Sequence, residues 1–341
     1  MIGDLPEFDA HEGVHLFHDS ESGLRAVVAV HSTHLGPAAG GTRFWHYASE
    51  SLMVRDALRL SRAMSYKNAM AGLDLGGGKG VILRPEGTFD RTALFEAYGR
   101  ALEACGGTYY TAEDVGVGTE DMDVISQQTD YVTGTSAGGG DPSPWTAMGV
   151  YLALEETARF AGLGDVAGLR VAVQGLGSVG YALAERLSRA GATLHVADIE
   201  PSRVEQAVKR LSAEAVPPEH IHAADVDIFA PCALNHAVNS ETVENIRAKV
   251  ICGGANNQLA SGMGAVLQQR GIVWAPDYVV NAGGIINVAS ELRDSYDPEW
   301  TRAKVEAIPM TLHSVLERAK DDGRPPGEVA DEMARDRIGR A

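Results

Sequence analysis

Lys67 and Lys79 sit among small residues, in YKNAMAG and LGGGKGV, with little other charge beside them. A lysine flanked by Ala69, Ala71 and three glycines is expected to be partly buried, and burial disfavours its ammonium form. That is how a lysine becomes a base near neutral pH; a nearby cation would push it further and a carboxylate would restrain it. The plain alternative is a lysine on a solvated face. The GGGK element is not a phosphate loop of the ATP-binding kind. That loop needs Gly five residues before its last Gly and Ser or Thr after the Lys, positions held here by Leu73 and Gly80.

A second constellation is G-x-G-x-x-G at Gly175, Gly177 and Gly180, directly after the apolar run LRVAVQ and opening SVGYALAERLSRAG. The first Gly permits a tight turn, the second lets backbone approach a pyrophosphate, and the third lets the helix pack on the sheet. The N–H groups and dipole at the helix start, Ser178 and Val179, favour phosphate. The next strand, TLHVAD, ends in Asp198, 18 residues after Gly180. An acid there binds ribose hydroxyls and repels a 2′-phosphate, which favours NAD over NADP. Arg203 blurs that preference, and Asp198 has an alternative role as a cap before Pro201.

The elements that must carry these residues alternate between strand and helix, which implies an α/β fold. Strands are expected at 14–17 and 24–30, a helix over 50–66, a Gly-rich turn, an apolar run at 81–83, a helix over 91–104 and a strand near 108–112. The stretch GTSAGGGDPSP (134–144) reads as a linker. Beyond it come a helix at 144–161 and strands at 169–174, 193–197, 220–222, 227–230, 249–252 and 272–274. Helices at 178–190 and 202–212 fall between them. From about 284 the pattern is helical to the end, interrupted by PPG at 325–327. The expected division is a mixed-sheet α/β domain over 1–135 and a Rossmann domain over 136–309, with helices of about 310–341 returning to the first.

A length of 341 residues suits two domains, and 39 glycines are well above the usual share. A net charge of −17 argues against nucleic acid, whose phosphates demand clustered Lys and Arg. Cys105, Cys232 and Cys252 are widely spaced, so neither a disulfide framework nor a zinc site is indicated, and a reducing cytoplasm fits. The start, MIGDLPEFDAHEG, lacks the look of a signal peptide, and no apolar run is long enough to span a membrane.

Several long segments occur in a characteristic order: GPAAGGTRF, YKNAMAGLDLGGGKGVI, TAEDVG, GLGSVG, CGGANNQL, PDYVVNAGGIINV and GEVADEMARDRI. In these the chain resembles the glutamate/leucine/phenylalanine/valine dehydrogenase family, especially its branched-chain and aromatic members. The resemblance implies reversible oxidative deamination of an L-amino acid to its 2-oxo acid and ammonia with NAD, in a cleft between the two domains and without a metal. It further implies that Lys67 holds the substrate carboxylate and that Lys79 is the base, acting through water. Asp114 would pair with the lysines and move protons at the amine. Gly40 and Gly41 would offer backbone groups to substrate, and Asn256 would contact substrate or cofactor. Thr146 would bind the nicotinamide carboxamide. The family forms homo-oligomers through the first domain, commonly dimers or octamers.

Glutamate-specific members carry Lys at the position of Ala39 and Ser at that of Val288. A glutamate carboxylate buried there without a partner would cost several kcal/mol. The implied pocket of Ala39, Ala112, Ile285 and Val288 favours a branched aliphatic substrate, with an aromatic one as the alternative. Asn235 departs from the family's usual Gly in a loop near the cofactor. A non-catalytic NAD-binding sensor and a different two-domain dehydrogenase, such as a folate enzyme, are the competing readings. Retention of Lys67, Lys79 and Asp114 speaks against the first, and the NAGGIINV and TAEDVG segments against the second.

Overall fold

The computed structural model describes residues 1–233, 236–293 and 295–340, so Asn235 lies outside the described residues. The chain divides into two compact units, Met1–Gly140 with Asn287–Pro298 and Ala334–Ala341, and Asp141–Ile286 with Glu299–Met333.

The first unit holds β1 (Gly13–Asp19), β2 (Leu24–Ser32), β3 (Ala38–Ala39), β4 (Thr42–Trp45), α1 (Glu50–Met70), β5 (Gly76–Leu83), α2 (Arg91–Glu103), β6 (Tyr109–Tyr110) and α3 (Thr119–Ser126). Its sheet runs β1-β2-β5-β3-β6, with β4 also on β5. β1 and β2 pair antiparallel, as do β2 and β5, whereas β3 and β4 run parallel to β5, so the sheet is mixed as expected. β2 is buried nearly throughout because both faces are covered. Val27 and Ala29 pack with Met53, Ala57 and Leu58 of α1, and Ala26, Val28 and Val30 pack with Leu94, Phe95 and Tyr98 of α2. Ser49 caps α1 through the Leu52 N–H and Asp90 caps α2 through that of Ala93.

The glycine-rich stretch is not a turn. Gly76–Leu83 is the fully buried strand β5, held between helices on both faces. A Cβ on Gly80 would lie 2.0 Å from the Tyr98 hydroxyl, and one on Gly77 2.1 Å from the Ser65 nitrogen of α1. Neighbours remote in sequence therefore demand glycine here.

The second unit holds α4 (Ser143–Phe160), β7 (Arg170–Gln174), α5 (Ser178–Arg189), β8 (Thr193–Ala197), α6 (Pro201–Leu211), β9 (Glu214–Ala215), β10 (Ile228–Pro231), β11 (Val250–Ile251), α7 (Met263–Gln269), β12 (Val273–Trp274) and α8 (Asp277–Val280). Among the described residues its sheet has the order β12-β11-β10-β7-β8-β9, and every pairing is parallel. This is a doubly wound, Rossmann-like arrangement. The strand expected at 220–222 is instead a short 3₁₀ turn, Ile221–Ala223, and the pairing beside β8 is made by β9. Pro217 and Pro218 lead into that turn, where the His220 N–H closes back onto the Pro217 carbonyl.

Four helices follow: α9 (Gly283–Glu291), α10 (Pro298–Glu306), α11 (Ile308–Asp322) and α12 (Pro326–Arg337). The returning segments differ from the expected 310–341. Asn287–Pro298 and Ala334–Ala341 belong to the first unit, while Glu299–Met333 stays with the second, where α11 packs on α4 and α8. The first boundary falls after Gly140 rather than at 135.

The last residues are fastened by charge. The Arg340 guanidinium donates to the carbonyls of Asp9, Ala10 and His31 and to His31 Nε2 at 2.7 Å. The fully buried His31 is thereby fixed as the neutral ring with its proton on Nδ1, 2.8 Å from Ser65 Oγ. Burial first, and then the Arg340 charge, pushes its pKa down to about 3.

Candidate active site

Side chains alternate along β5, so Gly77, Lys79, Val81 and Leu83 face α1 while Gly78, Gly80 and Ile82 face α2. Lys79 is the one charged side chain on this strand and is 4% exposed. Its Nζ lies 2.9 Å from Asp114 Oδ2, in the loop after β6. That loop is fastened by the Phe44 N–H on the Val115 carbonyl and the Thr42 N–H on that of Ala112. Burial pushes Lys79 below the usual lysine range, and the Asp114 charge offsets only part of this. Burial would raise Asp114, but Lys79 and Arg43 outweigh it and hold the carboxyl below its ordinary value.

Lys67, partly buried, lies in the last turn of α1, the helix that Lys79 faces. The adjacent Asn68 donates to the Gly76 carbonyl at 2.6 Å, tying this end of α1 to the start of β5. Ala39 and Ala112 are both buried, and Val288, in the part of α9 that belongs to this unit, is partly buried. Gly40 has both backbone groups engaged, its N–H on the Tyr110 carbonyl and its carbonyl accepting from the Tyr109 hydroxyl. A Cβ on Gly41 would lie 2.2 Å from the Glu113 carbonyl oxygen, so only glycine lets the Asp114 loop come this close.

Arg43, Asp56 and Met64 of this unit were not singled out from the sequence. Arg43 donates through Nε to Asp114 Oδ2 at 3.1 Å and through Nη1 to Asp56 Oδ2 at 3.0 Å. Met64 of α1 reaches within 3.0 Å of where a Cβ on Gly40 would stand. Arg43 lies two residues beyond Gly41 on a strand, and Met64 three before Lys67 on a helix. Those spacings were the signals available.

In the second unit Gly175 has φ +93°, and a Cβ on Gly180 would lie 2.0 Å from the Gly175 carbonyl. Gly177 caps α5 with no side chain on the helix N–H groups, and nothing occupies the space a Cβ would take. Ser178 is exposed and Val179 half-buried in the first turn of α5. Beside this loop a cavity of about 530 Å³ is lined by Gly175, Gly177, Asp198, Ile199 and Arg203 among others. An uncapped helix start beside open space fits a pyrophosphate, and an acid at the end of β8 fits a ribose diol.

Asp198 serves two purposes. Its oxygens accept from the Leu176 N–H at 2.6 Å and the Glu200 N–H at 2.8 Å, and Arg203 Nη1 stands 3.6 Å away. Burial would raise this carboxyl, but the two N–H groups and Arg203 hold it below its ordinary value. It is not the cap of α6, where the N-cap position is Glu200. Asn256 is exposed, and its Oδ1 accepts from Asn281 Nδ2 at 2.9 Å. Asn281, also not singled out from the sequence, is buried. Thr146 lies in the first turn of α4, its hydroxyl on the Pro142 carbonyl at 3.2 Å, and Gly283 and Gly284 allow α9 to approach this turn. Ile285, in the part of α9 that belongs to this unit, is buried.

Comparison with known proteins decides the family. Residues 11–131 match the model of the Glu/Leu/Phe/Val dehydrogenase dimerisation domain, and residues 197–326 match that of the glutamate/leucine/phenylalanine/valine dehydrogenases. The chain belongs to the Glu/Leu/Phe/Val dehydrogenase family. It is 48% identical to the leucine dehydrogenase of Bacillus subtilis over 94% of this chain and 90% of that one. It is 46% identical to the valine dehydrogenase of Streptomyces coelicolor over 97% of this chain and 93% of that one. The L-tryptophan dehydrogenase structure from Nostoc punctiforme superposes with a TM-score of 0.86 at 39% identity, covering 96% of each chain. A hetero-hexameric glutamate dehydrogenase from Thermus thermophilus shares the fold, with a TM-score of 0.79 at 22% identity over 96% of this chain and 88% of that one. Among the described residues, no helix of this family member is long and apolar enough to cross a membrane.

Proposed function

We propose that the protein catalyses the NAD-dependent, reversible oxidative deamination of an apolar L-amino acid, a branched-chain one in preference. The amino acid, NAD⁺ and water give the 2-oxo acid, ammonium, NADH and a proton. The observation that carries this reading is the ion pair of partly buried Asp114 with buried Lys79, on a strand cleared of every other functional side chain.

Lys67 holds the substrate carboxylate, which fixes Cα for hydride loss. The nicotinamide, when bound, supplies the hydride acceptor; Gly175, Gly177, Ser178, Val179, Gly180 and Asp198 would hold the dinucleotide, with Thr146 and Asn256 toward the nicotinamide. Neutral Lys79 takes a proton from the water that attacks the iminium carbon, and Asp114 moves a proton at the departing amine. Ala39 and Ala112 leave apolar walls with no partner for a side-chain carboxylate, and Val288, which belongs to the same unit, is apolar as well. The same small Ala39 leaves room for an aromatic side chain, the second reading. Assembly into a dimer or octamer through the first unit accords with its match to a dimerisation domain. A cytoplasmic setting accords with three free thiols.

Assayed for NADH production against leucine, valine, isoleucine, phenylalanine, tryptophan, alanine and glutamate, the enzyme is expected to favour a branched-chain substrate. Glutamate should fall at least about a hundredfold below it in kcat/KM, given several kcal/mol for an unpaired buried carboxylate. A glutamate rate equal to that of leucine would overturn the pocket assignment.

Cofactor choice rests on Asp198. Removing its charge in Asp198→Asn frees Arg203 for a 2′-phosphate and weakens the ribose contact. The NADP-to-NAD ratio of kcat/KM should rise about tenfold, equivalent to about 1.4 kcal/mol. Because the ratio cancels any shared damage to the Gly175–Gly180 loop, an unchanged ratio would remove Asp198 from the choice.

A further inference from the structure

Asp114 Oδ2 faces two cations, not one. Lys79 Nζ approaches at 2.9 Å and Arg43 Nε at 3.1 Å. Arg43 is itself anchored, since its Nη1 donates to Asp56 Oδ2 at 3.0 Å. Asp56, on α1, also accepts from the Tyr47 hydroxyl at 2.6 Å and from Arg59 at 2.7 Å. A row of alternating charge therefore runs from Lys79 through Asp114, Arg43 and Asp56 to Arg59. Its inner members are largely shielded from water, with Arg43 22% and Asp56 17% exposed.

We propose that Arg43 is a positioning residue: anchored by Asp56, it pins the Asp114 carboxylate and takes a share of its charge, so that Asp114 does not claim the Lys79 proton alone. This rests on the reading of Lys79 as the base. With only Lys79 beside it, the partly buried Asp114 would hold the lysine proton tightly and keep the base in its inactive form. A second, permanent cation keeps Asp114 ionised whichever state Lys79 is in. Arginine suits this part because it does not lose its proton and its planar fork engages two carboxylates at once.

The groups around Lys79 come from every element packed on β5. Asp114 comes from the loop after β6; Arg43 and Tyr47 come from β4 and the turn beyond it. Asp56, Arg59 and, in the last turn, Lys67 come from α1. Tyr109 reaches the Gly80 N–H from β6. On β2 the residue opposite Lys79 is the uncharged Ala29, and His31 is held neutral by Ser65 and Arg340. Of these, Arg43 opposes and Asp56 supports the charged form of Lys79.

The two neighbours therefore predict shifts of opposite sign. Arg43→Gln removes the competing cation and should raise the Lys79 titration midpoint by about one pH unit. Asp56→Asn leaves Arg43 with Asp114 alone and removes a nearby negative charge, so the midpoint should fall. Arg43→Lys keeps a cation but not the fork, so its midpoint should fall between those of the wild type and the Gln variant. Only six lysines occur in the chain, so the midpoint is readable from ε-¹³C-lysine NMR of the full-length protein, with Lys79→Met to assign the signal. The ascending limb of kcat/KM against pH should move with it. Shifts of the same sign in the Gln and Asn variants, or none in either, would overturn the proposal. Should the Gln variant not fold, Asp56→Asn decides alone: an acid shift supports the role and no shift overturns it. Absence of turnover in the wild type would instead sink the proposed reaction, while the NMR midpoints would still decide the part played by Arg43.

Discussion

Replacing Lys79 by methionine should lower kcat for oxidative deamination by about 10³–10⁴-fold, while leaving the protein folded and able to bind NADH. The size follows from the role. A positioned general base contributes about 10²–10⁴-fold, and an apolar side chain in its place leaves water with no acceptor at that point. The fold should survive because methionine matches the length of lysine and removes a buried ammonium that burial already disfavours. Asp114 is not orphaned, for it keeps the Arg43 guanidinium at 3.1 Å.

The pH dependence has a definite sign. In the proposed reaction the base is the neutral amine, and burial places the Lys79 pKa below the usual lysine range. The wild-type rate should therefore rise with pH through that lowered midpoint and be lost as pH falls below it. In Lys79→Met the residual rate should lack this limb. A thermal melt, an NADH titration and the pH profile together separate chemistry from folding. A loss of less than about tenfold with the limb intact would assign the base to another group.

How far the site was legible depended on whether its contacts were local. Gly175, Gly177, Gly180 and Asp198 belong to one strand–turn–helix–strand unit, so their order along the chain carries their geometry. The expected strand at 193–197 coincides with β8, and the expected one at 169–174 differs from β7 by one residue. The burial of Lys79 was also legible, because its immediate neighbours are small. What joins Lys79 to Asp114, Arg43 and Asp56 is the sheet, which brings β4, α1, β5 and the loop after β6 together, and no spacing in the sequence records it. The glycine-rich start of β5, read as a turn before the apolar run at 81–83, was missed for the same reason. Glycine disfavours strand on its own, and the atoms that force it here, from Ser65, Tyr98 and Tyr109, come from elsewhere in the chain. The return of Asn287–Pro298 to the first unit was likewise invisible to periodicity, since helical patterning does not reveal the unit on which a helix packs.

Those contacts make Gly77 a demanding position on the strand. A Cβ there would stand 2.1 Å from Ser65 N, 2.2 Å from Ser65 Oγ and 2.5 Å from Ser65 Cα. Two of these atoms are backbone of α1, so no change of rotamer relieves the clash and the helix has to move off the sheet. The movement falls where it matters, because Lys67 follows Ser65 by two residues and Lys79 follows Gly77 by two. Gly77→Ala should therefore destabilise the protein by about 3 kcal/mol or more and lower its first thermal transition by about 5–10 °C. It should also lower kcat/KM by about 10²-fold, the loss that goes with a misplacement of about 1 Å between groups that must act together. An alanine variant of the exposed Gly87, where nothing stands within 4 Å but φ is +74°, should lose a little stability and no activity. Thermal melting and steady-state kinetics on both variants test the argument. If Gly77→Ala melts and turns over like the wild type, close approach of α1 to β5 is not what sets the two lysines.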